Sequence, residues 1–301
     1  MEKKAYGGWP NCITLSNGKI EAVVTTDVGP RVIRLGFVGG QNLFKEYEDM
    51  LGTTGGDEWK IYGGHRLWHA PEAKPRTYAL DNVPVEFEWD GTTLRLTPPF
   101  EADNGVQKEM LITMDPDENK VTVLHRITNE SAWDITLAPW ALSVMAQTGR
   151  AILPQEPFVS HQDKLLPARP LVLWNYTNMS DPRWTWGEKY VQLQQDPNNT
   201  QPQKIGIRST LGWVAYALNG DVFIKRYPVH PDAEYPDYGS NTETFTNEDM
   251  LEVETLGPLT NLEADGGSVE HTERWYLFKA DVGTDDEAID ATLMPLVAKT
   301  K

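Results

Sequence analysis

The 301-residue sequence predicts an all-β fold: a large antiparallel β-sandwich closed by a short C-terminal helix. Three observations predict it. The dominant hydrophobic period is two from Lys19 to Ala280, turn signals separate the alternating runs, and a helical period is confined to the end of the chain. With 40% hydrophobic and 24% charged residues, the composition is that of an ordinary folded protein. A chain of this size buries roughly 75% of its unfolded surface, enough for a large core.

Taken in order, residues 19–26 and 31–37 are β-branched runs joined by Asp27-Val28-Gly29-Pro30. In residues 83–89, Val83, Val85, Phe87 and Trp89 alternate with Glu86 and Glu88, and Asp90-Gly91 then turns the chain into a second run at 92–97. Runs at 106–114 and 120–128 flank Asp115-Pro116-Asp117-Glu118-Asn119. Strands are expected again at 135–145, 190–195, 205–209, 213–218 and 222–227, the last two joined by Asn219-Gly220-Asp221. Two more, at 242–255 and 269–280, end the β series. Residues 154–188, rich in proline and aromatic residues, read as one long loop, which in a compact domain is usually functional or held by packing. Thr284 and Glu287 form a capping box, after which Ile289, Leu293, Leu296 and Val297 share one helical face. Pro295 breaks or kinks that helix near Leu293. Nothing divides the chain, and one domain over residues 1–301 is expected.

Lys and Arg number 27 against 44 Asp and Glu, a net charge of −17 that repels phosphate backbones, so a nucleic-acid partner is not expected. The single cysteine, Cys12, permits no intrachain disulfide. The first residues lack the apolar stretch of a signal peptide, and no apolar run approaches the roughly 18 residues of a membrane helix. A soluble, cytoplasmic protein without a membrane partner is therefore expected. Phosphate-cradling and dinucleotide fingerprints are missing, so no cofactor is implied.

Three constellations carry chemistry. In Tyr62-Gly63-Gly64-His65-Arg66-Leu67-Trp68-His69-Ala70-Pro71-Glu72, two glycines and a proline read as a loop. The mixture of imidazole, guanidinium, indole and carboxylate there suits a polyhydroxylated ring. His65 and His69 stand four apart, but outside a helix and without a nearby third ligand they imply no metal. Tyr235-Pro236-Asp237-Tyr238-Gly239-Ser240-Asn241, followed by Glu243, is a turn whose Asp and Asn could bond sugar hydroxyls or simply make the turn. In Leu251-Glu252-Val253-Glu254-Thr255, the two glutamates lie two apart on a strand and so share a face. If buried, such a pair has one pKa raised, the setting of a general acid or base; if exposed, it is only an acidic surface.

Together these segments resemble the galactose mutarotase-like superfamily, whose members are large "supersandwiches". The resemblance is carried by Asp27–Ile33, the 63–72 segment, Leu137-Ala138-Pro139-Trp140-Ala141-Leu142, the 235–239 turn, residues 252–258, Gly266-Gly267-Ser268 and Glu273-Arg274-Trp275. It implies an aldose 1-epimerase-like isomerase that interconverts sugar anomers by Glu/His acid–base catalysis. By resemblance the base is Glu254, with Glu252 as its alternative. The histidine beside two glycines is His65. Arg66, Trp68, Glu72, Trp140 and Asp237 would hold the sugar. The superfamily's mid-chain acid histidine has no counterpart between Asn129 and Leu142, where Trp140 stands near its place, so His65 is the first candidate for that role. Two other readings compete: a non-catalytic carbohydrate-binding protein and, third, a polysaccharide hydrolase or lyase. The partner implied is a small sugar or oligosaccharide; no feature bears on oligomeric state.

Overall fold

Strands paired edge to edge form two layers that face one another across a shared core. The computed structural model describes residues 1–300. One sheet has eleven strands, in the order Glu2–Tyr6, Trp9–Ser16, Ile20–Val24, Val32–Phe37, Gly64–Ala70, Ile135–Met145, Leu251–Leu256, Thr242–Thr246, Gln203–Ile207 and Leu171–Leu173, with Thr260–Leu262 paired to the start of Ile135–Met145. The other has ten: Trp184–Trp186, Tyr190–Gln194, Arg150–Pro154, Trp213–Leu218, Asp221–Arg226, Ser268–Lys279, Lys120–Asn129, Val106–Met114, Thr93–Thr97 and Glu86–Trp89. The expected antiparallel sandwich is therefore the observed one, and both sheets mix near and distant parts of the chain.

The core between the sheets is built from Leu35, Phe44, Ile112, Val123, Tyr216, Phe223, Val253 and Trp275 among others, all fully buried or nearly so. Phe44, Phe223 and Trp275 meet edge to face, with ring centroids 5.7–6.0 Å apart. On the outer side of the ten-stranded sheet, Ile289, Leu293 and Val297 pack against Ile152, Trp213, Ile224 and Tyr276. This is the expected apolar face of the terminal helix. Two short helices, Asp286–Thr292 and Met294–Val297, meet at Leu293, because Pro295 cannot continue the hydrogen-bond ladder. The cap differs from the expected Thr284: Asp285 accepts from the Ala288 amide at 2.8 Å. No helix among the described residues is long and apolar enough to cross a membrane.

Four further differences have local causes. The run at 242–255 is two strands, because Asn247 turns the chain by accepting from the Asp249 and Met250 amides. The strand expected from Val83 starts at Glu86, and Val83 is exposed. The 154–188 loop contributes the edge strand Leu171–Leu173 to one sheet and Trp184–Trp186 to the other. The largest difference is at 63–72. This segment is not a loop but the strand Gly64–Ala70, buried at every position, between Val32–Phe37 and Ile135–Met145. Its glycines serve a close approach: a Cβ on Gly64 would lie 2.4 Å from the Val32 carbonyl oxygen.

Candidate functional site

Once residues 64–70 form a strand, alternation divides their side chains between two faces. Arg66 and Trp68 point to the outer face of the eleven-stranded sheet; His65, Leu67 and His69 point the other way. The same rule acts on Leu251–Leu256. Glu252 and Glu254 face outward, while Val253 and Thr255 face the core. The expected shared face of the two glutamates is thus present, and His65 is on its reverse side.

The outer face carries a cleft with two lobes. One, of about 340 Å³, is bounded by Trp59, Arg66, Trp68, Tyr78, Tyr176 and Glu252 among others. The other, of about 350 Å³, is bounded by Glu72, Lys74, Trp140, Trp174, Lys204 and Asp237, and both lobes share Glu72, Trp140 and Lys204. All five residues expected to hold a sugar, Arg66, Trp68, Glu72, Trp140 and Asp237, therefore line one continuous cleft. Trp68 lies edge-on to Trp140 at 5.5 Å and packs with Trp59 at 5.0 Å and Tyr78 at 4.9 Å. Register explains the gathering: Trp140 pairs with Trp68, Leu142 with both Arg66 and Glu254, and Glu254 with Glu243.

The buried charges of the cleft are paired. Arg66 Nη2 donates to Glu252 Oε1 at 3.0 Å and stacks over Trp68 at 4.2 Å. Lys204 Nζ lies 2.8 Å from Glu243 and 3.0 Å from Glu254, with the rings of Trp140 and Trp174 each 4.8 Å away. Trp140 Nε1 donates to Glu254 Oε2 at 2.8 Å. Glu243 Oε1 and Glu254 Oε1, though buried, have no hydrogen-bond partner among the described residues. Burial raises the pKa of Glu243 well above the ordinary value; Lys204 opposes this, and Glu254 and Asp237 add to it. Burial likewise raises Glu252, opposed by Arg66, and raises Asp237, opposed by Lys204. For Lys204, burial alone would lower the pKa, but Glu243 and Glu254 outweigh it and raise it well above the usual lysine value. The cleft thus holds carboxyls whose pKa values burial raises beside a lysine whose pKa its glutamates raise.

His65 belongs to a different structure. It is fully buried between the sheets, so it cannot meet Glu254 across the cleft as the sequence led one to expect. Its environment fixes the proton positions. His125 Nδ1 donates to the His271 carbonyl at 2.9 Å, leaving His125 Nε2 to accept from His65 Nε2 at 2.7 Å; Ser143 then donates to His65 Nδ1 at 2.9 Å. Thr255 donates to Glu273 at 2.5 Å, so His271 Nε2 must donate to Thr255 at 2.7 Å. Lys225 and the Trp275 indole complete the shell of Glu273 at 2.9 and 2.7 Å. Every proton is accounted for with one cation, one carboxylate and three neutral imidazoles. Burial is the first cause lowering the pKa of all three, His271 to about 3. His65, His125 and Glu273 present atoms within 4.8 Å of one another. The 2.7 Å between the two ring nitrogens nevertheless marks a hydrogen bond, since nitrogens on one tetrahedral ion at about 2.0–2.1 Å would stand further apart.

Among the described residues no histidine lines the cleft. The cleft residues that sequence reasoning missed include Lys204, Trp59, Lys74, Tyr78, Trp174, Tyr176 and Phe245. Lys204 fell outside the strand expected at 205–209, which begins at Gln203. Trp174 and Tyr176 come from the 154–188 segment, whose aromatic content was the available signal.

Solved structures with the same architecture set this geometry in context. A galactose mutarotase-like protein from Lactobacillus casei superposes with a TM-score of 0.58 at 10% identity, over 89% of this chain and 100% of the other. This chain has the galactose mutarotase-like fold. A provisionally named aldose 1-epimerase from Klebsiella pneumoniae superposes with a TM-score of 0.61 at 12% identity, over 99% of this chain and 86% of that one. A TPR-domain containing protein from Parabacteroides distasonis matches at a TM-score of 0.60 and 12% identity, and there the chain spans about half (48%) of the longer protein. No family model and no curated protein matches the sequence. Within the galactose mutarotase-like fold of this chain, the group that meets Glu254 from the Ile135–Met145 strand is the indole of Trp140, a neutral donor that cannot hand over its proton.

Proposed function

We propose that this protein binds an uncharged sugar in the cleft on the eleven-stranded sheet. The observation that carries the reading is an aromatic-walled hollow in which three carboxyls, Glu72, Asp237 and Glu252, are balanced by three cations, Arg66, Lys74 and Lys204. Ring faces of Trp59, Trp68, Tyr78 and Trp140 suit the C–H faces of a pyranose, and Glu72, Asp237 and Glu252 suit its hydroxyls. Pairing argues against a sugar phosphate: Arg66 turns into the cleft but is paired with Glu252, and Lys204 is paired with two glutamates, which leaves Lys74 as the one lining cation without an ion pair among the described residues. Calorimetry with neutral hexoses and their phosphates tests this. Binding of the neutral sugars that weakens at least tenfold in Trp68→Ala is expected; preferential binding of the phosphates would contradict it.

A second reading, anomer exchange, is supported by carboxyls beside Glu254 whose pKa values burial raises. In that reaction a base takes the C1 hydroxyl proton, the bond from C1 to the ring oxygen breaks, and the ring oxygen takes a proton from an acid. Glu254 would serve as the base, and the buried Glu243–Asp237 pair would take the acid role that His65, on the wrong face, does not fill. NMR exchange between anomers tests it. Acceleration lost in Glu254→Gln and reduced in Asp237→Asn supports catalysis; sugar binding without acceleration leaves the binding reading alone standing.

A further inference from the structure

The cleft is larger than one ring requires, and its division is specific. Each lobe by itself reaches the lower end of the roughly 300–1,000 Å³ typical of small-ligand sites. The two meet at a common wall made by Trp140, Lys204 and Glu72. Beyond that wall the chemistries differ. One lobe is charged, with Asp237 and Lys74 against Trp174. The other is walled by Trp59, Trp68, Tyr78, Tyr176 and Phe245. In this aromatic lobe two donors remain unused: Arg66, 2% exposed, has Nε and Nη1 without hydrogen-bond partners, and Trp59 Nε1 has none.

From this we infer that the cleft contains two adjoining sugar subsites and takes at least two linked sugar rings, one in the charged lobe and the next in the aromatic lobe. The inference rests on the sugar-binding reading above and extends it from a monosaccharide to an oligosaccharide. The linkage crosses the Trp140–Lys204 wall. The second ring stacks against Trp59, Tyr176 and Phe245, with Glu252 and Glu72 on the lobe's lining to meet its hydroxyls. Aromatic platforms of this kind tolerate either face of a ring, so the aromatic lobe contributes affinity, and the charged lobe, with donors and acceptors at fixed places, selects the first ring.

The test is calorimetry on the full chain with matched probes: glucose, galactose and mannose, against maltose, cellobiose, lactose and mannobiose. At least one disaccharide is expected to bind ten times or more as tightly as its own constituent hexose. Tyr176→Ala and Trp59→Ala are expected to shrink that advantage to less than twofold. Tyr176 is 42% exposed, so its variant folds without a core defect, and a thermal melt verifies this. If every hexose binds as tightly as each disaccharide containing it, the two-subsite inference is overturned while the sugar-binding reading stays intact. A disaccharide advantage that persists in both variants overturns that inference as well. Failure of every probe to bind overturns the sugar-binding reading itself.

Discussion

At the residue scale the cleft turns on Lys204. It is the only cation within reach of Glu243 and Glu254 among the described ion pairs, and its side chain is 6% exposed. Removing one member of a buried ion cluster leaves the others uncompensated, at about 3–5 kcal/mol. Lys204→Met is therefore expected to lower unfolding free energy by about that much at pH 8. The sign of the pH dependence follows from the carboxyls left behind. The folded-state pKa of Glu243, already raised by burial, rises further once Lys204 no longer opposes it, so the folded variant binds more protons than the unfolded chain. The loss therefore shrinks as pH falls toward the ordinary glutamate range. Urea unfolding at pH 8 and pH 5 measures it, and an equal loss at both would contradict the assignment. His69 is linked to protons in the opposite sense, since its folded state binds fewer of them than the unfolded chain. Burial, then Lys108 and Arg76, lower its pKa to about 3. Its contribution is complete above the unfolded value of about 6.5 and is lost as pH falls toward the folded value, at about 1.4 kcal/mol per pH unit. The stability of His69→Gln is expected to fall less steeply than wild type between pH 6.5 and pH 4 in the same assay.

At the element scale the turn at 235–241 holds Asp237 in the cleft by an uncommon backbone. Asp237 and Tyr238 both have positive φ, 51° and 57°, and the Tyr238 side chain is 95% exposed. Such a conformation costs roughly 1–3 kcal/mol per residue, less for Asp than for Tyr. Because Tyr238 packs against little, Tyr238→Gly is expected to raise stability by up to about 1 kcal/mol. Asp237→Gly should gain less and lose sugar affinity. Thermal melts paired with calorimetry separate the two effects, and destabilisation by Tyr238→Gly would contradict the strain argument. Elements also explain what the sequence revealed and what it concealed. The Glu252/Glu254 face was legible because alternation there is uninterrupted. The Gly64–Ala70 strand was concealed because Gly63, Gly64 and Pro71 signal a loop, although Arg66, Trp68 and Ala70 already alternated against His65, Leu67 and His69. Reading a loop put His65 beside Arg66; a strand puts them on opposite faces. Lys204 was concealed by an error of two residues at a strand boundary. Trp174 and Tyr176 were concealed because nothing local says which way a long loop folds back.

For the whole molecule, the two sheets divide the work. The space between them holds hydrophobic side chains and one satisfied polar network around Glu273 and Lys225, both fully buried. The outer face of the eleven-stranded sheet holds the cleft. Lys225→Met is expected to cost about 3–5 kcal/mol by stranding the Glu273 carboxylate, with the cleft's aromatic walls unchanged. The order of the strands was not legible in the sequence, because pairing Gly64–Ala70 with Ile135–Met145 and Leu251–Leu256 joins segments whose contact no local pattern encodes. The two-layer architecture was legible, since alternation requires two faces. The account's central claim is that sugar meets the protein on the outer face, at Trp68 and Trp140, and not in the interior around His65. Of the 11 tryptophans, Trp59, Trp68, Trp140 and Trp174 line the cleft, while Trp9 and Trp275 are fully buried elsewhere. Indole N–H resonances followed by NMR during titration with the disaccharide that binds most tightly make the most direct test. The account predicts that the four cleft indoles shift, Trp140 most because its N–H bond to Glu254 is in the wall, while Trp9 and Trp275 stay fixed. Shifts centred on Trp275, beside His65, with the cleft indoles unmoved would contradict it.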